Sequence, residues 1–265
     1  MAEQQIRFDD GAAYERVMGA WSRLAGDVFL DWLAAPPGLR WLDVGCGNGA
    51  FTELVIERCA PAAIEGIDPS DAQLAFARTR PAARMATFRL GDAMALPFAE
   101  PRFDAAAMAL VIFFVPDPAK GVAELVRVVQ PGGVVAAYAW DVVGGGLPFE
   151  PIQAEMRAMG LTPPLPPSFE ASRIEALHGL WTGAALEDVA TREIVVRRGF
   201  ADFDDFWTTT LLGPAIGPTV AGMPAADVER LKSAVRARLP ADADGRITYA
   251  ARANAVKGRV PRRAS

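Results

Sequence analysis

The segment at positions 41–50, WLDVGCGNGA, constrains the fold of this chain more than any other feature. Its apolar run ends in Asp43 and is followed by three alternating glycines, Gly45, Gly47 and Gly49. This order is typical of a strand that feeds a helix through a loop with few side chains, because glycine tolerates positive φ and lets backbone N–H groups approach a ligand. The amino end of the following helix also favours an anionic group. The segment therefore predicts a loop that binds a nucleotide-like cofactor.

Two kinds of cofactor compete for this loop. Gly45, Gly47 and Ala50 satisfy the dinucleotide pattern G-x-G-x-x-G/A, and Asp68 follows where a ribose-binding acid is expected. Asp43 favours the other kind, because a carboxylate two residues before the first glycine would repel a pyrophosphate and attract the ammonium of an amino-acid moiety. A nicotinamide-dependent oxidoreductase is therefore the first rival to a protein that binds an adenosine–amino-acid conjugate.

Length and composition predict one globular α/β domain with a large insertion or a small second lobe. The chain has 265 residues, of which 51% are hydrophobic and 22% are charged. Its two cysteines, Cys46 and Cys59, are too few for a disulfide framework and suit a reducing compartment. No segment reads as a signal peptide or approaches the ~18 apolar residues of a membrane span. We therefore expect a cytoplasmic protein with no membrane partner.

The formal net charge of the chain is −5. A protein that holds duplex nucleic acid needs a basic face to neutralise phosphates. We therefore expect no nucleic-acid partner.

Hydrophobic periodicity predicts alternating strands and helices in the first half of the chain. It predicts an amphipathic helix at 12–34. The expected strands lie at 40–45, 63–68, 85–90, 103–110 and 134–140. Helices are expected between them, with Ser70 and Asp117 as N-caps. Five βα units in succession predict a doubly wound parallel sheet.

The second half of the chain gives weaker signals. The expected helices lie at 149–159, 170–180, 201–210 and 224–238. Two β-branched segments, 189–198 and 247–256, are expected as late strands. The stretch at about 200–245 would then lie outside the sheet, over the carboxyl edge where ligands bind.

Four motifs in order resemble those of the class I S-adenosylmethionine-dependent methyltransferases, in the small-molecule branch of types 11 and 25. These motifs are the glycine loop with Phe51 and Thr52 after it, EGIDPS at 65–70, GDAMALPF at 91–98 and LVRVVQPGG at 125–133. The resemblance implies a Rossmann-like, mostly parallel sheet of seven strands, with the last strand inserted antiparallel beside the fifth. It also implies an amino-terminal lid helix and a helical insertion before the last strand.

The resemblance also implies a set of residues that bind S-adenosylmethionine. Asp68 is expected on both ribose hydroxyls and Asp92 on the adenine amine, while Asp43 is expected near the amino group. The full expected set is Tyr14, Asp43, Gly45, Gly47, Gly49, Asp68, Pro69, Asp92, Ala93 and Ala109. Asp43, Asp68 and Asp92 stand at the ends of the first three strands, so we expect them at one edge of the sheet.

The expected organisation is a single methyltransferase domain over 1–265. Its parts are a lid helix at 1–36, a cofactor-binding half at 40–141 and a carboxy-terminal half at 142–265, with a substrate cap at about 200–245. The expected partner is a small-molecule methyl acceptor, and the chain is expected as a monomer or homodimer.

Methyl transfer from a sulfonium needs mainly alignment and exclusion of water. The sequence therefore assigns no catalytic residue and no metal. The only histidine, His178, reads as a surface residue, and Asp141 at the end of the fifth strand is a better-placed candidate base. Oxygen is the first expectation for the methylated atom, with nitrogen and carbon open. A non-catalytic S-adenosylmethionine-binding protein is the second rival.

Several aromatic residues are candidates for an apolar acceptor pocket. They are Trp21, Phe113, Trp140, Phe206 and Trp207.

Overall fold

The computed structural model describes residues 15–213 and 216–262, without the side chain of Arg16. Within these residues, seven strands form one sheet. The strands are β1 (Arg40–Val44), β2 (Ala63–Asp68), β3 (Ala86–Leu90), β4 (Phe103–Ala109), β5 (Val129–Trp140), β6 (Glu187–Phe200) and β7 (Ile247–Arg259). Their spatial order is β3-β2-β1-β4-β5-β7-β6, and only the β5–β7 and β6–β7 pairs are antiparallel. The predicted mostly parallel sheet, with its last strand beside the fifth, is confirmed.

Helices connect the strands and cover both faces of the sheet. The helices of the described residues are α1 (Ala20–Leu33), α2 (Ala50–Cys59), α3 (Asp71–Ala77), α4 (Pro118–Val128), α5 (Glu150–Ala158), α6 (Ile174–Gly183), α7 (Phe203–Leu211), α8 (Gly217–Ala221) and α9 (Ala225–Arg238). Right-handed crossovers place α2 and α3 on one face and α4 on the other. Helix α1 packs on α2, and α6 packs on α4.

The strand order reverses its direction between β1 and β4. From β1 the chain builds outward to β2 and β3, and from β4 it builds the opposite way to β5. Ligands of open α/β sheets bind at such a switch point, beyond the carboxyl ends of the strands. The fold therefore places the glycine loop, which follows β1, at the expected position for a ligand.

Local capping explains where two of the predicted helices begin. The Ser70 hydroxyl accepts a hydrogen bond from the Gln73 amide at 3.4 Å, and the Asp117 carboxylate accepts one from the Lys120 amide at 3.1 Å. Pro118 occupies the first turn of α4, where its missing N–H costs nothing. Both N-caps match the sequence prediction.

The fifth strand begins earlier than predicted. Residues 131–133, Pro-Gly-Gly, read as a turn, but β5 starts at Val129 and contains them. The register with β4 shifts there, because Phe103 pairs with Val129 and Ala105 pairs with Val134. A bulge accommodates proline and glycine within a strand. The turn-forming residues therefore produce an irregularity in the strand instead of its start.

The predicted helix at 12–34 is divided in the structure. A π-helical turn occupies Glu15–Gly19 and α1 begins at Ala20. Residues 12–14, including the predicted cofactor residue Tyr14, lie outside the described residues.

The helical insertion begins and ends at the carboxyl edge of the sheet, as the sequence predicts. Strand β6 ends at Phe200, which pairs with Ile247, the first residue of β7. Trp140, the last residue of β5, pairs with Ala253, so β6 and β7 extend beyond it. The segment 201–246 thus leaves and rejoins the sheet at its carboxyl edge. No helix among the described residues is both long and apolar enough to cross a bilayer.

Candidate functional site

The structure brings the acids of the first three strands to one edge. Asp43 pairs with Gly66 on one side and Ala107 on the other, near the carboxyl end of β1. Asp68 is the last residue of β2, and Asp92 follows β3 by two residues. The three acids therefore lie at the same edge of the sheet, as their order in the sequence predicts.

The three glycines of the loop differ in what surrounds them. All three have positive φ. A Cβ at Gly45 would lie 2.5 Å from the methyl carbons of Val111, and one at Gly49 would lie 3.0 Å from the Cβ of Ala77. A Cβ at Gly47 would meet no protein atom within 4 Å. Gly45 and Gly49 therefore permit close packing of the protein on itself, whereas Gly47 faces open space.

Asp68 holds the loop in place and can still accept further hydrogen bonds. Its Oδ2 accepts a hydrogen bond from the Gly47 amide at 2.8 Å, and its Oδ1 accepts one from the Ser70 amide at 2.9 Å. Burial raises the pKa of the Asp68 carboxyl, and the two amides oppose that shift. A carboxylate offers about four accepting positions, so about two remain for a ligand.

Asp43 is almost fully buried behind the loop. Its Oδ2 accepts a hydrogen bond from the Thr52 hydroxyl at 2.6 Å, and its Oδ1 is buried with no hydrogen-bond partner among the described residues. Burial, helped by the nearby charge of Asp68, raises the pKa of Asp43 to about 7 against the lowering effect of the Thr52 hydrogen bond. The site therefore concentrates negative potential around an unsatisfied carboxylate oxygen, and a cation would relieve it.

The raised pKa of Asp43 predicts a pH-dependent stability of the ligand-free protein. Between about pH 4 and pH 7, folded Asp43 keeps a proton that the unfolded chain has released, so folding loses stability as pH rises toward the folded pKa. We expect a higher thermal unfolding midpoint at pH 5 than at pH 8. We expect Asp43→Asn to reduce this slope, leaving the smaller contribution of Asp68. Calorimetric scans across this range provide the measurement.

Asp104→Asn is the matched control for that experiment. The Arg40 guanidinium lowers the pKa of Asp104, which therefore titrates below the tested range. This variant should shift all midpoints without changing the slope between pH 5 and pH 8. The same slope in the parent protein and in Asp43→Asn would contradict the titration of Asp43 near neutrality.

The other predicted cofactor residues lie at or just after the ends of β2, β3 and β4. Asp92 is exposed, and its Oδ1 accepts a hydrogen bond from the Met94 amide at 2.8 Å. Pro69 is exposed, and Ala93 is half-buried. Ala109 is the last residue of β4. It lies two residues before Val111, whose side chain fills the space next to Gly45. Their contacts with a cofactor stay predictions.

An ion-pair network that the sequence did not reveal ties the amino-terminal segment to the glycine loop. The Glu15 carboxylate accepts hydrogen bonds from the Asn48 side chain at 2.9 Å and from Arg80. Arg80 also donates to the Asn48 carbonyl at 2.6 Å and to Glu53 at 2.8 Å. This network holds the turn Glu15–Gly19 against the loop. Arg80 lies in a segment with no recognisable motif, so only the fold could show its role.

An apolar cavity of about 70 Å³ lies between the turn Glu15–Gly19, the segment that follows β4 and the insertion. Val17 and Met18 of the turn line it, together with Leu110 after β4. Phe113 and Trp140, two of the aromatic residues expected to form an acceptor pocket, also line it.

The remaining expected aromatics lie in a cluster next to this cavity. Trp21 packs on Trp140 with ring centroids 6.4 Å apart and on Tyr249 at 6.3 Å. Phe206 also packs on Tyr249, and Trp207 stacks on Phe203 at 6.2 Å. Trp21, Phe206 and Trp207 are buried. They do not line the cavity, and Trp21 packs directly on the lining residue Trp140.

Neither candidate base is placed to act. His178 is exposed in the middle of α6 and does not line the cavity. Asp141 forms an ion pair with Arg252 at 2.6 Å and accepts a hydrogen bond from the Gly144 amide at 2.8 Å. These contacts fix the chain after β5. In the part of the chain that the structure describes, no group of three or more His, Cys, Asp or Glu side chains could hold a metal ion.

Part of the chain is similar in sequence to known methyltransferases. Residues 42–137 match the family described as "Methyltransferase domain". A demethylmenaquinone methyltransferase of Desulfitobacterium hafniense is 37% identical over 108 residues, which cover 39% of this chain and 43% of that protein. A ubiquinone/menaquinone biosynthesis C-methyltransferase UbiE of Cereibacter sphaeroides is 36% identical over 119 residues, covering 43% and 48%. The chain thus spans about half the length of the curated relatives it matches.

A solved structure shares the fold over more of the chain. Phosphoethanolamine N-methyltransferase 2 of Haemonchus contortus, in complex with phosphomonomethylethanolamine and S-adenosylhomocysteine, superposes with a TM-score of 0.58. The two are 19% identical, and the match covers 94% of this chain and 56% of that one. The strand order, the glycine loop and the matched domain lead to one conclusion. Through residues 42–137 this chain is similar to the methyltransferase domain family.

Proposed function

We propose that this protein transfers a methyl group from S-adenosylmethionine to a small organic acceptor. The observation that carries the proposal is the open space at Gly47, bounded by Asp68 and backed by the buried Asp43. An adenosine–amino-acid conjugate fits this site, since it brings hydroxyl donors and an ammonium. A dinucleotide would bring a diphosphate to two buried carboxylates, which Coulomb repulsion disfavours.

The residues present fit the cofactor in specific ways. The free accepting positions of Asp68 would hold the ribose hydroxyls with charge-assisted hydrogen bonds. The free oxygen of exposed Asp92 would accept from the adenine amine. Asp43 is covered, so it would attract the ammonium through its field without direct contact. These assignments predict that ligand binding and the ionisation of Asp43 favour each other.

S-adenosylmethionine supplies an electrophilic methyl group on a sulfonium. The protein then has to align the acceptor and exclude water, which can contribute roughly 7–11 kcal/mol. The turn Glu15–Gly19 closes one side of the cavity and contacts the glycine loop through Glu15. The cavity lining offers no ionisable base among its described residues. A proton that a neutral acceptor releases on methyl transfer would therefore pass to solvent water.

The acceptor atom is part of the proposal. Oxygen remains the first candidate from the sequence, with nitrogen open. The curated relatives include a C-methyltransferase, which supports carbon as a candidate of similar standing.

A binding experiment separates the proposal from the oxidoreductase alternative. We expect S-adenosylhomocysteine to bind in isothermal titration calorimetry and NADH neither to bind nor to displace it. Competitive displacement by NADH would overturn the proposal.

A turnover experiment separates the proposal from the non-catalytic alternative. Incubation with methyl-labelled S-adenosylmethionine and extract of the source cells should label a small molecule, which mass spectrometry can identify. Cofactor binding without any labelled product would favour the binding protein.

A further inference from the structure

The cavity next to the turn Glu15–Gly19 has an uncharged and mostly apolar lining. Its described wall residues include no charged side chain. Four of them are aromatic: Phe113, Phe114, Trp140 and Phe149. An ionised acceptor would lose its hydration there without a counter-charge, at a cost of several kcal/mol. A flat, uncharged ring would instead make favourable edge and face contacts.

Two residues that line this cavity each carry a buried polar atom with no hydrogen-bond partner among the described residues. The Gln153 side chain is 1% exposed, and its Oε1 has no hydrogen-bond partner among the described residues. The Trp140 side chain is 3% exposed, and its Nε1 likewise has none there. Buried polar atoms are rarely left unpaired, and each costs about 1–3 kcal/mol. One acceptor and one donor in an apolar cavity therefore indicate a ligand that supplies the complementary groups.

We propose that the cavity binds the methyl acceptor, and that this acceptor is an uncharged aromatic compound with a hydroxyl group. A hydroxyl both donates and accepts hydrogen bonds. The ligand hydroxyl can therefore donate to Gln153 Oε1 and accept from Trp140 Nε1–H. Leu165 lines the cavity and is 45% exposed, so a larger acceptor can extend past it to the surface. The role of the cavity as the methyl-acceptor site rests on the proposed methyl transfer. Its preference for an uncharged ring with a hydroxyl group does not.

Three ring compounds of similar size test the proposal. They are p-cresol, toluene, which lacks the hydroxyl, and 4-methylbenzoate, which is charged. Ligand-observed NMR titrations measure their affinities with and without saturating S-adenosylhomocysteine. We expect p-cresol to bind more tightly than toluene and 4-methylbenzoate not to compete with it.

Two variants assign the preference to the polar groups. Gln153→Leu keeps the side-chain size, and it should reduce the p-cresol-to-toluene affinity ratio roughly threefold to tenfold, the range for one neutral hydrogen bond. Trp140→Phe should reduce the ratio similarly. Gln130→Leu is the matched control, because Gln130 bonds the Pro101 carbonyl near the opposite edge of the sheet. It should leave the ratio unchanged.

Each contrary outcome has a clear meaning. Absence of p-cresol binding, equal binding of 4-methylbenzoate, or an unchanged ratio in both Gln153→Leu and Trp140→Phe would overturn the proposal. Failure of S-adenosylhomocysteine to bind would instead remove the proposed function. In that case the ring preference measured without it would still report on the cavity.

Discussion

Asp68→Ala should weaken the binding of S-adenosylhomocysteine by about 1.5–3 kcal/mol, or roughly 10- to 150-fold. The variant loses the charged acceptor that we place on the ribose hydroxyls. It also removes the acceptor of the Gly47 and Ser70 amides, so the loop loses its fixed position. Titration calorimetry measures the affinity, and circular dichroism confirms that the variant is folded.

Asp71→Ala provides the matched control for the lost charge. Asp71 is an exposed acid in the first turn of α3, three residues from Asp68. Its removal changes the net charge equally and should leave the affinity within about twofold, since exposed charges interact weakly. Unchanged affinity in Asp68→Ala would exclude Asp68 from the cofactor site.

Gly47→Ala should weaken cofactor binding by about 1–3 kcal/mol, the cost of an added methyl group in a filled space. In the ligand-free protein the new Cβ meets no protein atom within 4 Å. Its cost to folding is then the backbone strain of φ +51°, about 1–2 kcal/mol. Thermal unfolding and titration calorimetry measure the two effects separately.

Gly38→Ala separates the strain from the clash. Gly38 also has positive φ, at +82°, and a Cβ there also meets nothing within 4 Å. It precedes β1 at the amino edge of the sheet, away from the edge that holds the three acids. Both variants should lose similar stability, but only Gly47→Ala should lose affinity. An equal effect of both variants on binding would show that the cofactor does not contact Gly47.

The cofactor half could be predicted from the sequence because its signals are local. Strands β1, β2 and β4 are short and mostly buried segments. Ser70 and Asp117 mark helix starts by accepting hydrogen bonds from amides only three residues ahead. The edge shared by Asp43 and Asp68 follows from the parallel order of the strands. Predicted and observed bounds for β2 agree at both ends, from residue 63 to residue 68.

The features that escaped prediction depend on distant contacts. Arg80 meets Glu15 across 65 positions of the sequence, and no local pattern encodes that pair. The sequence cannot show that Trp140 Nε1 and Gln153 Oε1 lack hydrogen-bond partners, because this depends on the tertiary structure around them. The start of β5 was misplaced for a different reason, since Pro131 and Gly132 have the same local preference in a bulge as in a turn.

The pairing of Phe200 with Ile247 closes the base of the inserted segment. Because the sheet fixes both ends, doubling the length between them costs only about 0.6 kcal/mol of chain entropy. Thr210 and Ile216, which line the cavity, belong to this segment, whereas the glycine loop does not. Under the proposed function, insertions and substitutions here would change the choice of acceptor without altering the residues that bind the cofactor, so the two specificities could diverge independently during evolution.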